Sequence, residues 1–242
     1  MQIVGHRGAA GVAPENTMVS FREAIRFGAD WLEFDVRFSR DGVPVIIHDA
    51  TLKRNTSGRG PVRARLLSDL RRLDAGSWFD ARFAGERIPT LDEVLRLGPR
   101  IRLNIEIKAR SAPAAHAAEA VWSRVRALGL QERSLITSFD VRVLKALREL
   151  DGEARLGFPW QVGLRDPVRR ATSLRCRMML FEVSGLSEKK VRRCREAGLE
   201  VWVYTVNEPE EMRRVLDLGI QGLITDRPDL LASLLRREAA VP

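Results

Sequence analysis

Cysteine is nearly absent from this sequence: Cys176 and Cys194 are the two in 242 residues, far apart and without a Cys-x-x-Cys partner. That count excludes a disulfide framework and a thiolate zinc site, and leaves two reduced thiols. Long apolar runs are missing as well. No stretch approaches the ~20 uninterrupted apolar residues of a membrane-spanning helix, so no stable membrane insertion is expected. Met1 runs straight into Gln2-Ile3-Val4-Gly5-His6, without the charged region, apolar region and cleavage site of a leader, and a cytoplasmic location is expected. A Gly-x-Gly-x-x-Gly turn is also lacking. Gly8-Ala9-Ala10-Gly11 is only a loose likeness, which counts against a doubly wound dinucleotide-binding sheet.

Basic residues outnumber acidic ones 41 to 32, for a net charge of +9. The excess is nearly all arginine, scattered along the chain and often beside acidic residues, with no long basic run. No specific nucleic-acid partner is therefore expected. A basic surface still attracts a small anionic substrate. With 45% hydrophobic residues the chain can bury a full core, as a monomer or a homodimer.

Strand and helix patterns alternate from end to end. β-rich runs fall at 2–5, 30–35, 102–108, 134–138, 154–158, 178–183, 200–205 and 221–225, with amphipathic stretches between them. Thr90 with Glu93 forms a capping box, Asn207 precedes Pro209 and Glu210 as a helix cap, and Asp226 precedes Arg227-Pro228 as a helix start. Eight such alternations predict an α/β fold, a (β/α)8 TIM barrel occupying residues 1–242 as a single domain. The run 43–48 breaks the rhythm. Too close to the second strand for a parallel crossover, it must form an antiparallel hairpin turning at Asp41-Gly42, which returns His48 to the level of Glu33. The Gly-, Arg- and Ser-rich residues from about 50 to 89 then form an insertion at the barrel rim.

Glu33 and Asp35 are two apart on one strand and leave the same face; Glu106 and Lys108 repeat the pattern on the next barrel strand. Charges on a barrel's inner face are costly unless paired or bound to metal. Three carboxylates converging at the carboxyl ends of the strands suit a hard cation, Mg2+ or Ca2+. His6 and His48 end the first strand and the hairpin, at the same rim, and two imidazoles flanking a metal suit general acid–base work. The third histidine, His116, falls on a helix and is expected at the surface. Arg7 and Lys108 add fixed positive charge, either to grip phosphate oxygens or to neutralise the carboxylates. A cation, two imidazoles and two cationic side chains together fit phosphoryl transfer from an anionic diester.

The ordered set His6-Arg7-Gly8, Pro14-Glu15-Asn16-Thr17, Glu33-Phe34-Asp35, Asp41-Gly42, Val45-Ile46-Ile47-His48-Asp49, Ile105-Glu106-Ile107-Lys108, Thr205-Val206-Asn207 and Ile224-Thr225-Asp226-Arg227-Pro228 resembles the glycerophosphodiester phosphodiesterase family over nearly the whole chain. The resemblance implies hydrolysis of glycerophosphodiesters to sn-glycerol 3-phosphate and an alcohol. It implies one Mg2+ or Ca2+ on Glu33, Asp35 and Glu106, with His6 and His48 as the acid–base pair and Arg7 and Lys108 on the phosphate. Glu15 and Asn16 match the family pattern near the site, although Asn16 or Thr17 could instead cap the first helix. Tyr204 stands where the family commonly has tryptophan, which keeps an aromatic wall. Phe139 and Trp202 are either mouth-lining or core residues. Two rivals are a lysophospholipase D using the same site, which would need an apolar channel, and a non-catalytic anion-binding barrel, which would have no need of paired imidazoles.

Overall fold

The structure, a computed structural model, describes residues 1–108, 112–160 and 163–239. Nine strands form one sheet: β1 Gln2–His6, β2 Trp31–Phe38, β3 Pro44–Ile46, β4 Arg102–Ile107, β5 Ser134–Thr137, β6 Leu156–Pro159, β7 Met178–Glu182, β8 Glu200–Tyr204 and β9 Gly222–Thr225. All but β3 run parallel, and β1 pairs with both β2 and β9, so eight strands close a ring. The strands alternate with helices α1 Met18–Arg26, α2 Leu67–Leu70, α3 Leu91–Leu95, α4 Ala114–Ala127, α5 Val141–Leu150, α6 Pro167–Ser173, α7 Glu188–Glu196, α8 Pro209–Leu216 and α9 Pro228–Ala239. This is the predicted TIM barrel. No helix among the described residues is long and apolar enough to cross a membrane.

The alternation within β2 shows why the chain closes this way. Leu32, Phe34, Val36 and Phe38 point outward into the layer between sheet and helices, where Phe34 meets Phe21 of α1 edge-on at 5.8 Å. Trp31, on the other face, packs inside the barrel with Val4, Leu135, Met178, Leu180, Trp202 and Ile224. Trp31 and Trp202 meet edge-on at 5.1 Å, and a Cβ on Gly222 would lie 2.6 Å from the Trp202 indole. Glycine is therefore required for the second indole to cross the axis. Each such side chain taken out of water contributes about 1.5–3 kcal/mol. Trp202 belongs to this core, and the space above it belongs to the polar residues.

The Thr90–Glu93 capping box of α3 forms as predicted. Asn207 does not cap α8: Glu208 holds that position and Pro209 the first turn, while the Asn207 amide turns back toward Asp226. The hairpin also departs from expectation. Ser39 N–H donates to the Val43 carbonyl and Ser39 Oγ binds Val43 N–H, so the turn centres on Asp41. Val36 faces Ile46, and Ile47 N–H donates to the Asp35 carbonyl. That register carries His48 to the level of Phe34, one position from Glu33, just after the ladder ends. Residues 50–89 close over their own small core of Val45, Ile47, Leu52, Val62, Leu70, Ala75 and Ile88. They return to the barrel where Ile46 N–H meets the Pro89 carbonyl at 2.8 Å.

Candidate active site

Side chains from β1, β2, β4 and the hairpin converge above the Trp31–Trp202 plug. Ligand oxygens of Glu33, Asp35 and Glu106 all lie within 4.8 Å of one another, the one such acidic cluster among the described residues. Register explains the convergence, because Asp35 pairs with Glu106 across β2–β4 and His6 with Glu33 across β1–β2. Asp35 is the best compensated of the three. It receives Lys108 Nζ at 2.9 Å, Arg7 Nε at 3.3 Å and the Asn16 amide at 2.9 Å. Although burial opposes it, Lys108 and Arg7 hold the Asp35 carboxyl well below the usual range. Among the described residues, Glu33 has only the Arg7 backbone N–H at 3.0 Å and a more distant His6. Burial and the Asp35 charge push it up to about 7. Burial also raises Glu106, despite Lys108 Nζ at 2.5 Å. Three carboxylates against two nearby cations leave a negative excess in a desolvated pocket, and the donor set is all hard oxygen. These residues fit a divalent cation of the Mg2+ or Ca2+ kind.

The loop after β1 is bent to serve this cluster. Arg7 and Asn16 adopt left-handed conformations, φ 50° and 58°, each a local cost of about 1–3 kcal/mol for a non-glycine residue. The bend aims Arg7 N–H at Glu33 and brings Asn16 N–H to the Arg7 carbonyl at 2.9 Å. Gly8 (φ 92°) presses so closely on α1 that an added Cβ would fall 2.4 Å from Ser20 Oγ. Thr17, not Asn16, caps α1, which leaves the Asn16 amide for Asp35. Glu15 accepts from Arg7 at 2.9 Å and from Arg54 of the insertion.

Both imidazoles are anchored. His6 Nδ1 is 2.7 Å from Asp226 Oδ1, and Nε2 is 3.9 Å from Glu33. Burial alone would lower the His6 pKa, but Asp226 and Glu33 outweigh it and raise the value above the ordinary one. Asp226 is itself fixed by Asn207, whose amide donates to Oδ2 at 2.7 Å and accepts from the Asp226 N–H at 2.9 Å. His48 Nδ1 is 2.7 Å from Asp49 Oδ1. Burial, aided by Arg7 and Lys108, lowers its pKa in spite of Asp35. The two rings are turned by the same kind of bond and displaced in opposite directions.

Sequence reasoning missed Asp226, Asp49 and Asn207 as neighbours of this centre. Asp49 follows His48 directly; Asp226 and Asn207 carried helix-start signals that masked them. Of the two possible mouth aromatics, Phe139 is 43% exposed. It lies over Lys108 at 5.7 Å and lines a cleft of about 570 Å³ together with His48, Glu106, Arg37 and Arg142. Tyr204 lines the inner recess with His6, Glu33 and Glu106, and burial raises its pKa. His116 is exposed, as expected.

The likeness to known proteins runs the length of the chain. A curated glycerophosphodiester phosphodiesterase from Caldanaerobacter subterraneus subsp. tengcongensis is 34% identical over 237 residues, covering 97% of this chain and 98% of its own. A phosphodiesterase structure from Oleispira antarctica, in complex with the product sn-glycerol-3-phosphate, superposes with a TM-score of 0.92 at 30% identity, covering 98% of this chain and 97% of the other. A glycerophosphodiester phosphodiesterase structure from Agrobacterium tumefaciens gives 0.83 at 34% identity, covering 96% and 99%. The Glycerophosphoryl diester phosphodiesterase family matches residues 6–230, a span that takes in His6, the acidic cluster, His48 and Asp226, and the chain belongs to that family.

Proposed function

We propose that this phosphodiesterase hydrolyses glycerophosphodiesters such as glycerophosphocholine and glycerophosphoethanolamine, releasing sn-glycerol 3-phosphate and the headgroup alcohol. The observation that carries the reading is the acidic cluster flanked by two imidazoles whose Nδ1 atoms are each bound by a carboxylate. Each ring then keeps Nε2 for proton transfer. The Oleispira antarctica relative, holding sn-glycerol-3-phosphate as its product, supports the same product here.

Glu33, Asp35 and Glu106 would hold one Mg2+ or Ca2+. When bound, that cation supplies Lewis-acid charge against the phosphoryl oxygens. Arg7 and Lys108 bind the phosphate from the side, the first as a planar fork and the second as a point charge. Glu15 and Asn16 keep Arg7 and Asp35 oriented, while Phe139 and Tyr204 wall the mouth and the inner recess. His48, displaced toward its neutral form, takes the proton from the attacking hydroxyl. His6, kept protonated by Asp226 and Glu33, gives its proton to the leaving oxygen. The attacking hydroxyl is either water or the glycerol 2-hydroxyl, which would form a cyclic phosphate opened by water in a second step. A 2-deoxyglycerol analogue separates the two, since undiminished hydrolysis rules out the cyclic route.

The direct test is release of glycerol 3-phosphate in a coupled assay, with and without chelator, for wild type and His48→Ala. Equal rates for the two proteins would defeat the catalytic assignment; full activity after metal removal would defeat the cation. The lysophospholipase D reading has one feature in its favour, the apolar side of the cleft formed by Ile107, Phe139, Val141, Phe158 and Leu164. Choline release from lysophosphatidylcholine, if faster than from glycerophosphocholine, would make it the better description.

A further inference from the structure

One residue of the insertion touches two arms of the site at once. Arg54 Nε and Nη2 donate to Asp49 Oδ2 and Oδ1 at 2.8 and 3.1 Å. Its Nη1 and Nη2 donate to Glu15 Oε2 and Oε1, both at 2.8 Å. Asp49 binds His48 Nδ1 at 2.7 Å, and Glu15 binds Arg7 Nη1 at 2.9 Å. The result is a continuous chain, His48–Asp49–Arg54–Glu15–Arg7, reaching Asp35 through Arg7 Nε at 3.3 Å. We propose that Arg54 is a positioning residue that holds His48 and Arg7 together, setting the angle between the proton acceptor and the phosphate-binding fork. The inference rests on the roles given above to His48 and Arg7.

Three features support it. First, the geometry uses the fork shape of the guanidinium, with both oxygens of both carboxylates engaged; a lysine ammonium carries the charge but cannot span two carboxylates in this way. Second, the Arg54 side chain is 44% exposed, where a lone ion pair contributes little to stability, so four bonds there define a position more than they hold the fold. Third, Arg54 is carried by a braced turn: Leu52 is buried in the insertion core, and Thr56 Oγ1 donates to the Leu52 carbonyl at 2.6 Å. The matching support on the His6 side is the neutral Asn207 amide, which belongs to the barrel. The inserted segment thus supplies half of the site's orientation.

The test is steady-state hydrolysis of glycerophosphocholine at saturating Mg2+, with thermal melts, for Arg54→Lys, Arg54→Ala, Asp49→Asn and Glu15→Gln. Asp49→Asn should act on kcat and Glu15→Gln on KM. Arg54→Lys should change both, by roughly tenfold each, at an unchanged melting temperature. Millimolar guanidinium should restore a large part of the activity of Arg54→Ala and none of that of Arg54→Lys. Wild-type kcat and KM in Arg54→Lys would overturn the proposal. So would losses that follow a lowered melting temperature and resist guanidinium. His48→Ala and Arg7→Ala run alongside: if these two retain wild-type turnover, the assignment of the site has failed, whereas if they are inactive and Arg54→Lys is normal, only the clamp has.

Discussion

His6 and His48 are each held by a carboxylate at 2.7 Å, but the two corners are built from different material. The His6 corner is all barrel: β1 carries the ring, Asp226 follows β9, and the Asn207 amide fixes Asp226 without a formal charge. The His48 corner stands at the rim, with Asp49 held by the charged Arg54 of the insertion. Its ring is 32% exposed against 18% for His6. A pair of identical side chains thus acquires opposite proton affinities. One is enclosed by carboxylates, and the other is partly desolvated beside Arg7 and Lys108. The opposite displacement of the two imidazoles follows from their neighbours, not from the rings.

The largest effect should come from deleting either ring. His6→Ala and His48→Ala are each expected to lower kcat by about 10²- to 10⁴-fold. A loss confined to one of them, in glycerol 3-phosphate release, would break the symmetry of roles. Next in size is the support beneath the rim. Leu70→Ala in the insertion core should cost about 2–5 kcal/mol locally. Hydrogen exchange should then quicken at the amides of residues 49–54 while those of β8 stay protected, which would locate the weaker corner.

Asp226→Asn and Asp49→Asn form the third comparison, each expected to cost roughly 10- to 100-fold in kcat/KM. Asp226 raises the His6 pKa, so its loss lets that value fall. The alkaline limb of kcat/KM, where the proton donor is lost, should move to lower pH. Asp49 raises the His48 pKa, so its loss should move the acid limb to lower pH instead. A pH profile in which each variant displaces the other's limb would reverse the assignment of donor and acceptor. The smallest effect concerns Glu33, close to His6 and held near pH 7. Below that pH the metal-free carboxyl is protonated and must lose its proton on binding a cation. Mg2+ affinity should therefore fall about tenfold per pH unit below 7, with proton release measurable by calorimetry in buffers of different ionisation enthalpy.

Much of this arrangement was legible in the sequence, because it depends on local alternation. Glu33-x-Asp35 and Glu106-x-Lys108 share faces by the strand period alone, and a short loop between 30–35 and 43–48 demands a hairpin. What escaped depends on closure of the ring. Asp226 lies 220 residues from His6, and the two meet only because β9 pairs with β1. Nothing near Asp226 marks that partner, while Arg227-Pro228 after it reads as a helix start. Asn207 was hidden in the same way by Pro209. The register of the hairpin was off by one position: Ser39 closes a turn centred on Asp41, which sets His48 level with Phe34 and not with Glu33. Arg54 sits in a stretch without periodicity, where no local pattern distinguishes it from the arginines around it.

The pair of indoles below the acidic cluster has a consequence for traffic. With Trp31 and Trp202 filling the axis and Gly222 allowing the second to cross it, the barrel is a vessel with one mouth. Whatever enters at the carboxyl rim must leave by the same opening. Both halves of a cleaved diester therefore share one exit with the incoming substrate.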